Sequence, residues 1–146
     1  EAGFPPIGDY ALIGDSRSAA LVSKAGAIEW LCWPDYASPS VFAAILDRER
    51  GGTFSIGPAS HAETSRRYFD DTAILETIFT AEDGQLRLVD FMPIPTDTSL
   101  QPQREILRLV EALDGTPEVD VQYRPRPDYG RKTPRIVSRT RGRRSA

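Results

Sequence analysis

The chain has 146 residues, of which 40% are apolar and 27% charged, with a net charge of −3. That is the length of one domain able to bury a core, and the composition excludes wholesale disorder. Its longer apolar runs are only a few residues, as at Val41 to Leu46, far short of the roughly 20 that a membrane span requires.

Cys32 and His61 are the only residues of their types. An internal disulfide and a Cys/His zinc site are therefore excluded, and no cofactor is expected. The N-terminal region carries no basic segment followed by a long apolar run, so the reading is a cytoplasmic protein. Charge is unevenly spread. Residues 1–123 hold 9 basic and 20 acidic residues, whereas residues 124–146 hold 9 basic and 1 acidic.

Short segments broken by Gly, Pro and Asp predict β structure along most of the chain. Tyr10-Ala11-Leu12-Ile13 is a first apolar run, ended by Gly14-Asp15. Ala19 to Ser23 and Ala27 to Trp33 flank Lys24-Ala25-Gly26, a hairpin with glycine where positive φ is needed. The second arm is apolar on both faces and predicts a strand buried on both sides. Ser38-Pro39 reads as an N-cap followed by proline in the first turn, predicting a short helix near residues 39–47 that includes Val41 to Leu46. Thr53 to Ile56 is the next strand, stopped by Gly57-Pro58. Ala73 to Thr80 and Gln85 to Phe91 form a hairpin across Ala81-Glu82-Asp83-Gly84. Residues 105–112 fit either a helix or a strand. Val119, Val121 and Tyr123 alternate cleanly with polar neighbours, so the preferred reading pairs the two segments as a hairpin across residues 114–117. Pro125 and Pro127 end regular structure, and residues 131–146 are expected to be a basic, flexible tail.

Few residues suggest chemistry. His61 lies in a polar connection, where an exposed loop histidine is the ordinary reading. Neither Asp70-Asp71 nor Glu82-Asp83 is assigned as a catalytic pair, and Cys32, between Leu31 and Trp33, reads as an inert core thiol. Trp30 and Trp33 fall on opposite faces of one strand, so each is open to burial or to stacking on a sugar. In the loop Gly14 to Ser18, Asp15 and Arg17 either shape the turn as a local ion pair or face a polar ligand.

The order of motifs resembles the beginning of bacterial glycoside hydrolase family 15 proteins, the glucoamylase- and trehalase-like enzymes with a trehalase-like N-terminal domain. The resemblance rests on residues 7–15 (Ile-Gly-Asp-Tyr-Ala-Leu-Ile-Gly-Asp), 18–22, 26–34 (Gly-Ala-Ile-Glu-Trp-Leu-Cys-Trp-Pro) and 38–43. Arg67-Tyr68, residues 75–77, 89–93 and 126–130 (Arg-Pro-Asp-Tyr-Gly) extend it. It implies an all-β, antiparallel sandwich over residues 1–130, incomplete within this length, that supports an (α/α)6 catalytic barrel. The catalytic glutamates of these inverting enzymes belong to the barrel, so no catalytic residue is assigned here. The family commonly reads Pro-Arg-Phe-Asp-Ser-Pro-Ser where this chain has Pro34-Asp35-Tyr36-Ala37-Ser38-Pro39-Ser40. Asp15, Arg17, Trp33, Asp35, Tyr36 and Ser38 are the candidate contacts to a trehalose or α-glucoside substrate at the edge of the barrel's site. Unpartnered strands predict self-association. The alternatives are a stand-alone sugar-binding module or a nucleic-acid-binding one using the arginine-rich end, the latter opposed by the acidic body.

Overall fold

The computed structural model describes residues 4–94 and 104–137. After one 3₁₀ turn (Ile7–Asp9), the strands are β1 (Tyr10–Gly14), β2 (Ala19–Ser23), β3 (Ala27–Cys32), β4 (Ser40–Phe42) and β5 (Thr53–Pro58). They continue as β6 (Ala62–Tyr68), β7 (Leu75–Ala81), β8 (Gly84–Phe91), β9 (Leu107–Gly115) and β10 (Val119–Arg124). Every pairing is antiparallel. One sheet runs β1-β2-β3-β5-β10 with β4 also on β3, and the other runs β6-β7-β8-β9. The fold is the expected all-β sandwich.

The two sheets meet in two apolar clusters. Ile13, Ala20, Val22, Ile28, Leu31 and Phe42 of the first sheet enclose Leu75 of the second together with Met92. Ile56 of the first sheet packs on Phe79, Leu86 and Leu88 of the second. Each large side chain buried this way contributes about 1.5–3 kcal/mol. The central strand β3 is buried along most of its length, as its two apolar faces predict.

The hairpin at Gly26 forms with φ +75°, and a Cβ there would stand 2.2 Å from the Ile56 carbonyl oxygen. Glycine is thus needed both for the turn and for the approach of β5. The Glu82-Asp83 turn also forms, but it has a second constraint that local patterning does not show. Gly84 faces Gly115 across β8 and β9, and a Cβ on Gly84 would meet the Asp114 carbonyl oxygen at 2.2 Å.

Four expectations are corrected. The helix near residues 39–47 is absent: Ser40–Phe42 is β4, with Phe42 opposite Leu31 and buried in the core. Turns follow instead, shaped by Asp47, whose carboxylate accepts the N–H groups of Glu49 and Arg50 at 3.0 and 2.9 Å. The hairpin joining residues 105–112 to 119–123 does not form either. The earlier segment is a strand, but β9 pairs with β8 while β10 pairs with β5, so the chain crosses between sheets at residues 116–118. Strand β5 runs through Gly57-Pro58 rather than stopping there. The Pro58–Val119 pair falls beyond the paired part of β3, so its missing N–H removes no bond to that strand. Finally, β6 was not expected. Its sequence Ala-Glu-Thr-Ser-Arg-Arg-Tyr is largely polar, as suits an edge strand. Residues 138–146 of the expected tail lie outside the described residues.

Candidate functional site

The β1–β2 and β3–β4 loops meet at one end of the sandwich. Tyr36 donates its N–H to the Arg17 carbonyl at 3.0 Å, tying the loops together. This brings Asp15, Arg17, Asp35, Tyr36 and Ser38 into one neighbourhood. Asp15 Oδ1 accepts the N–H groups of Arg17 (2.9 Å) and Ser18 (2.8 Å), so it shapes the turn through the backbone rather than through an ion pair with Arg17. Asp35 repeats the device, accepting the N–H of Ala37 at 3.0 Å and the hydroxyl of Ser38 at 2.9 Å. Ser18 is fully buried and donates to the Cys32 carbonyl, fixing the base of the first loop. The two carboxylates are thus committed to their own turns, while Arg17 and Tyr36 are exposed.

Trp33 departs from that group. It packs against the first core cluster and lines a groove with Val41, Phe42, Phe54, Ile106 and Tyr123. Trp30 takes the opposite face, with its ring 6.5 Å from Tyr129. Burial pushes the Cys32 thiol upward, in keeping with an inert core residue. His61 is exposed in its loop.

Three buried acids among the described residues have structural partners. Asp90 on β8 is fully buried, and Arg108 on β9 meets it with two bonds, Nε–Oδ1 at 2.7 Å and Nη2–Oδ2 at 3.1 Å. The same guanidinium donates to the carbonyls of Phe54 (2.7 Å) and Gly26 (2.6 Å) on the facing sheet, and lies over the Phe54 ring at 4.8 Å. Arg108 therefore joins both layers. Burial pushes the Asp90 carboxyl up, against the opposing pull of Arg108. Glu29 accepts the Tyr10 hydroxyl at 2.5 Å, and burial followed by that bond raises the Tyr10 pKa to about 12.

Glu76 belongs to a ladder of alternating charge across the outer face of the second sheet. Arg67 (β6) lies 2.5 Å from Glu76 (β7), which lies 2.9 Å from Arg87 (β8), which lies 3.1 Å from Glu111 (β9). The Arg67 hydrogen bond is the main cause that lowers the Glu76 pKa. Among the described residues no group of three His, Cys, Asp or Glu side chains is placed to hold a metal. The Asp90–Arg108 joint escaped the sequence reading, although a lone Asp in Leu-Val-Asp-Phe and a lone Arg in Leu-Arg-Leu signalled it. Two charges inside apolar strands require one another.

The trehalase-like N-terminal family model matches residues 2–145. The chain belongs to the trehalase-like N-terminal family. It is 37% identical over 143 residues to a trehalase of Mycolicibacterium smegmatis, covering 88% of this chain and 21% of that protein. A trehalase of Thermoplasma volcanium is 34% identical over 138 residues, with 92% of this chain and 22% of the relative covered. Trehalase 2 of Sulfolobus acidocaldarius is 37% identical over 122 residues, covering 84% and 19%. The trehalase-like domain thus spans about a fifth of the length of these curated relatives. No solved structure gives a significant match. None of the described helices is long and apolar enough to cross a membrane.

Proposed function

We propose that this chain is the non-catalytic N-terminal β-sandwich, residues 1–130, of a cytoplasmic trehalase-like enzyme of glycoside hydrolase family 15. Its role is to support the (α/α)6 barrel that carries the catalytic glutamates. The observation that carries the reading is the joint one of extent and chemistry. A family match over residues 2–145 corresponds to only about a fifth of each relative, and the buried acids Glu29, Glu76 and Asp90 are all held by partners within the sandwich. Inverting glycoside hydrolysis requires two carboxyl groups about 6.5–9.5 Å apart with a sugar and a water between them. Acids bonded to Tyr10, Arg67, Arg87 and Arg108 are poor candidates for that work.

The exposed Arg17 and Tyr36, held by the turns of Asp15 and Asp35 with Ser38, form the loop end that would meet the edge of a trehalose or α-glucoside site in the barrel. Trp33 is set apart by its packing and would act there only by supporting the loop. The purified chain should release no glucose from trehalose under conditions where the Mycolicibacterium smegmatis trehalase does, and none from maltooligosaccharides. Turnover by this chain alone would overturn the non-catalytic reading.

A further inference from the structure

Among the described residues, four other than glycine have a positive φ: Ser16 (69°), Asp71 (58°), Asp128 (58°) and Tyr129 (54°). Ser16 and Asp71 stand alone, whereas Asp128, Tyr129 and Gly130 (79°) follow one another. Residues with a side chain enter the left-handed region singly and at a cost, and a bulky tyrosine there is an outlier. A run of three persists only where its surroundings impose it.

The constraint comes from the side of β3 turned away from the core. Trp30 and Cys32 are two residues apart on that strand and share that side. The Tyr129 ring lies 6.5 Å from the Trp30 ring, and its side chain hydrogen-bonds Cys32. Next to it, Gly130 packs so closely that a Cβ would stand 2.9 Å from the Arg50 carbonyl oxygen. The main chain is anchored at the start of the segment, where Arg126 donates its N–H to the Val41 carbonyl at 2.9 Å. Beyond that point the described main-chain bonds close within the segment. Gly130 donates to Arg126 at 3.0 Å, Arg131 to Asp128 at 3.0 Å and Lys132 to Pro127 at 3.1 Å. The Asp128–Lys132 ion pair at 3.7 Å is internal too. The turn is thus bonded to itself through its backbone, and is held on the sheet by Tyr129 and the fit of Gly130.

We propose that residues 126–132 are a strap that opens as a unit while the sandwich stays folded, with Tyr129 on Trp30 as its latch. Closed, the strap holds its left-handed run and shields Cys32, which is only 6% exposed. Open, the run relaxes to ordinary φ and the thiol is uncovered. The strain at Asp128 and Tyr129 works against the latch, so the open state lies nearer in free energy than it would for an unstrained loop. Because its backbone bonds are internal, the segment can lift while giving up few contacts with the sheet, which is the character of a locally opening unit. The device rests on this segment and the face beneath it, and stands or falls independently of the trehalase-like role.

Cys32 is the only cysteine, so its reaction with dithionitrobenzoate reads the opening directly. In the 146-residue chain the labelling rate should be nearly independent of urea below the unfolding transition, since a local opening exposes little surface. Tyr129→Ala removes the latch, and Gly130→Ala places a Cβ in the left-handed region against Arg50. Each should speed labelling by roughly five-fold or more. Leu75→Ala weakens the core where the two sheets meet, and should leave labelling in the absence of urea within about two-fold. Hydrogen exchange at the Gly130 and Lys132 amides should follow the same opening. A labelling rate that rises with urea as steeply as global unfolding, or that Leu75→Ala speeds as much as Tyr129→Ala does, would overturn the strap. The urea dependence of the unaltered chain decides the matter even if a variant fails to fold.

Discussion

The two sides of the sandwich end their sheets in opposite ways. At the β1 and β6 side, the Tyr68 hydroxyl of one sheet accepts the Leu12 N–H at 2.9 Å and donates to the Leu12 carbonyl at 2.8 Å on the other. Arg66 of β6 adds a bond to the Val22 carbonyl at 3.1 Å. The edge of β1 is thus occupied by side chains, and the neighbouring Ile13 and Leu75 are almost wholly buried. At the β9 and β10 side, Val110, Val121 and Tyr123 are 42%, 57% and 53% exposed although their strand partners Leu88, Ile56 and Phe54 belong to or pack on the core. Among the described residues, one side is blunted against further pairing and the other is not.

The Arg108 joint is what holds the open side, and removing it gives the largest expected effect. Arg108→Met leaves Asp90 buried without its cation, which should cost about 3–5 kcal/mol in chemical denaturation. A loss below about 1 kcal/mol would mean that Asp90 is reached by water or neutralised. The next measurement compares the sides directly. Leu75→Ala removes a side chain that is 1% exposed and should cost about 2–5 kcal/mol, whereas Val121→Ala should stay within about 0.5 kcal/mol. Equal costs would erase the distinction. The smallest change is Tyr68→Phe, which removes only the hydroxyl on Leu12. It should cost about 1 kcal/mol and raise hydrogen exchange at the Leu12 amide, while leaving the Val22 amide protected. Unchanged exchange at Leu12 would show that the edge is protected by other means.

Much of this plan was legible in the residues, and the misses have physical causes. Hairpins such as β2–β3 and β7–β8 are local, and their turns carry Gly26 and Asp83-Gly84, so nearby sequence specifies them. The partners of β9 and β10 are set by which sheet covers which, a choice that alternation in one strand does not contain. For residues 39–47, the Ser-Pro signal lost to the burial of Phe42 beside Leu31, as tertiary packing overrides a weak local preference. At the candidate loops, sequence marked the residues and their small turns. Only the Tyr36–Arg17 bond shows that the two loops are neighbours, and only the bonds of Asp15 and Asp35 show those acids to be turn formers.

The crossover between β9 and β10 has a consequence for the order in which the molecule is made. The second sheet is continuous in sequence from Ala62 to Gly115, and each of its strands pairs with its neighbour in the chain. The first sheet also begins with neighbours, β1 to β3, but the described strand beyond β5 is added only when Val119–Arg124 returns to Thr53–Pro58. Contacts between distant segments form slowly, and a chain emerging from the ribosome folds from its N-terminal end. The second sheet can therefore assemble against an unfinished first one, and the outer edge of β5 stays bare until residue 124 has been synthesised. That interval is when nascent chains of this domain are most exposed to pairing with one another.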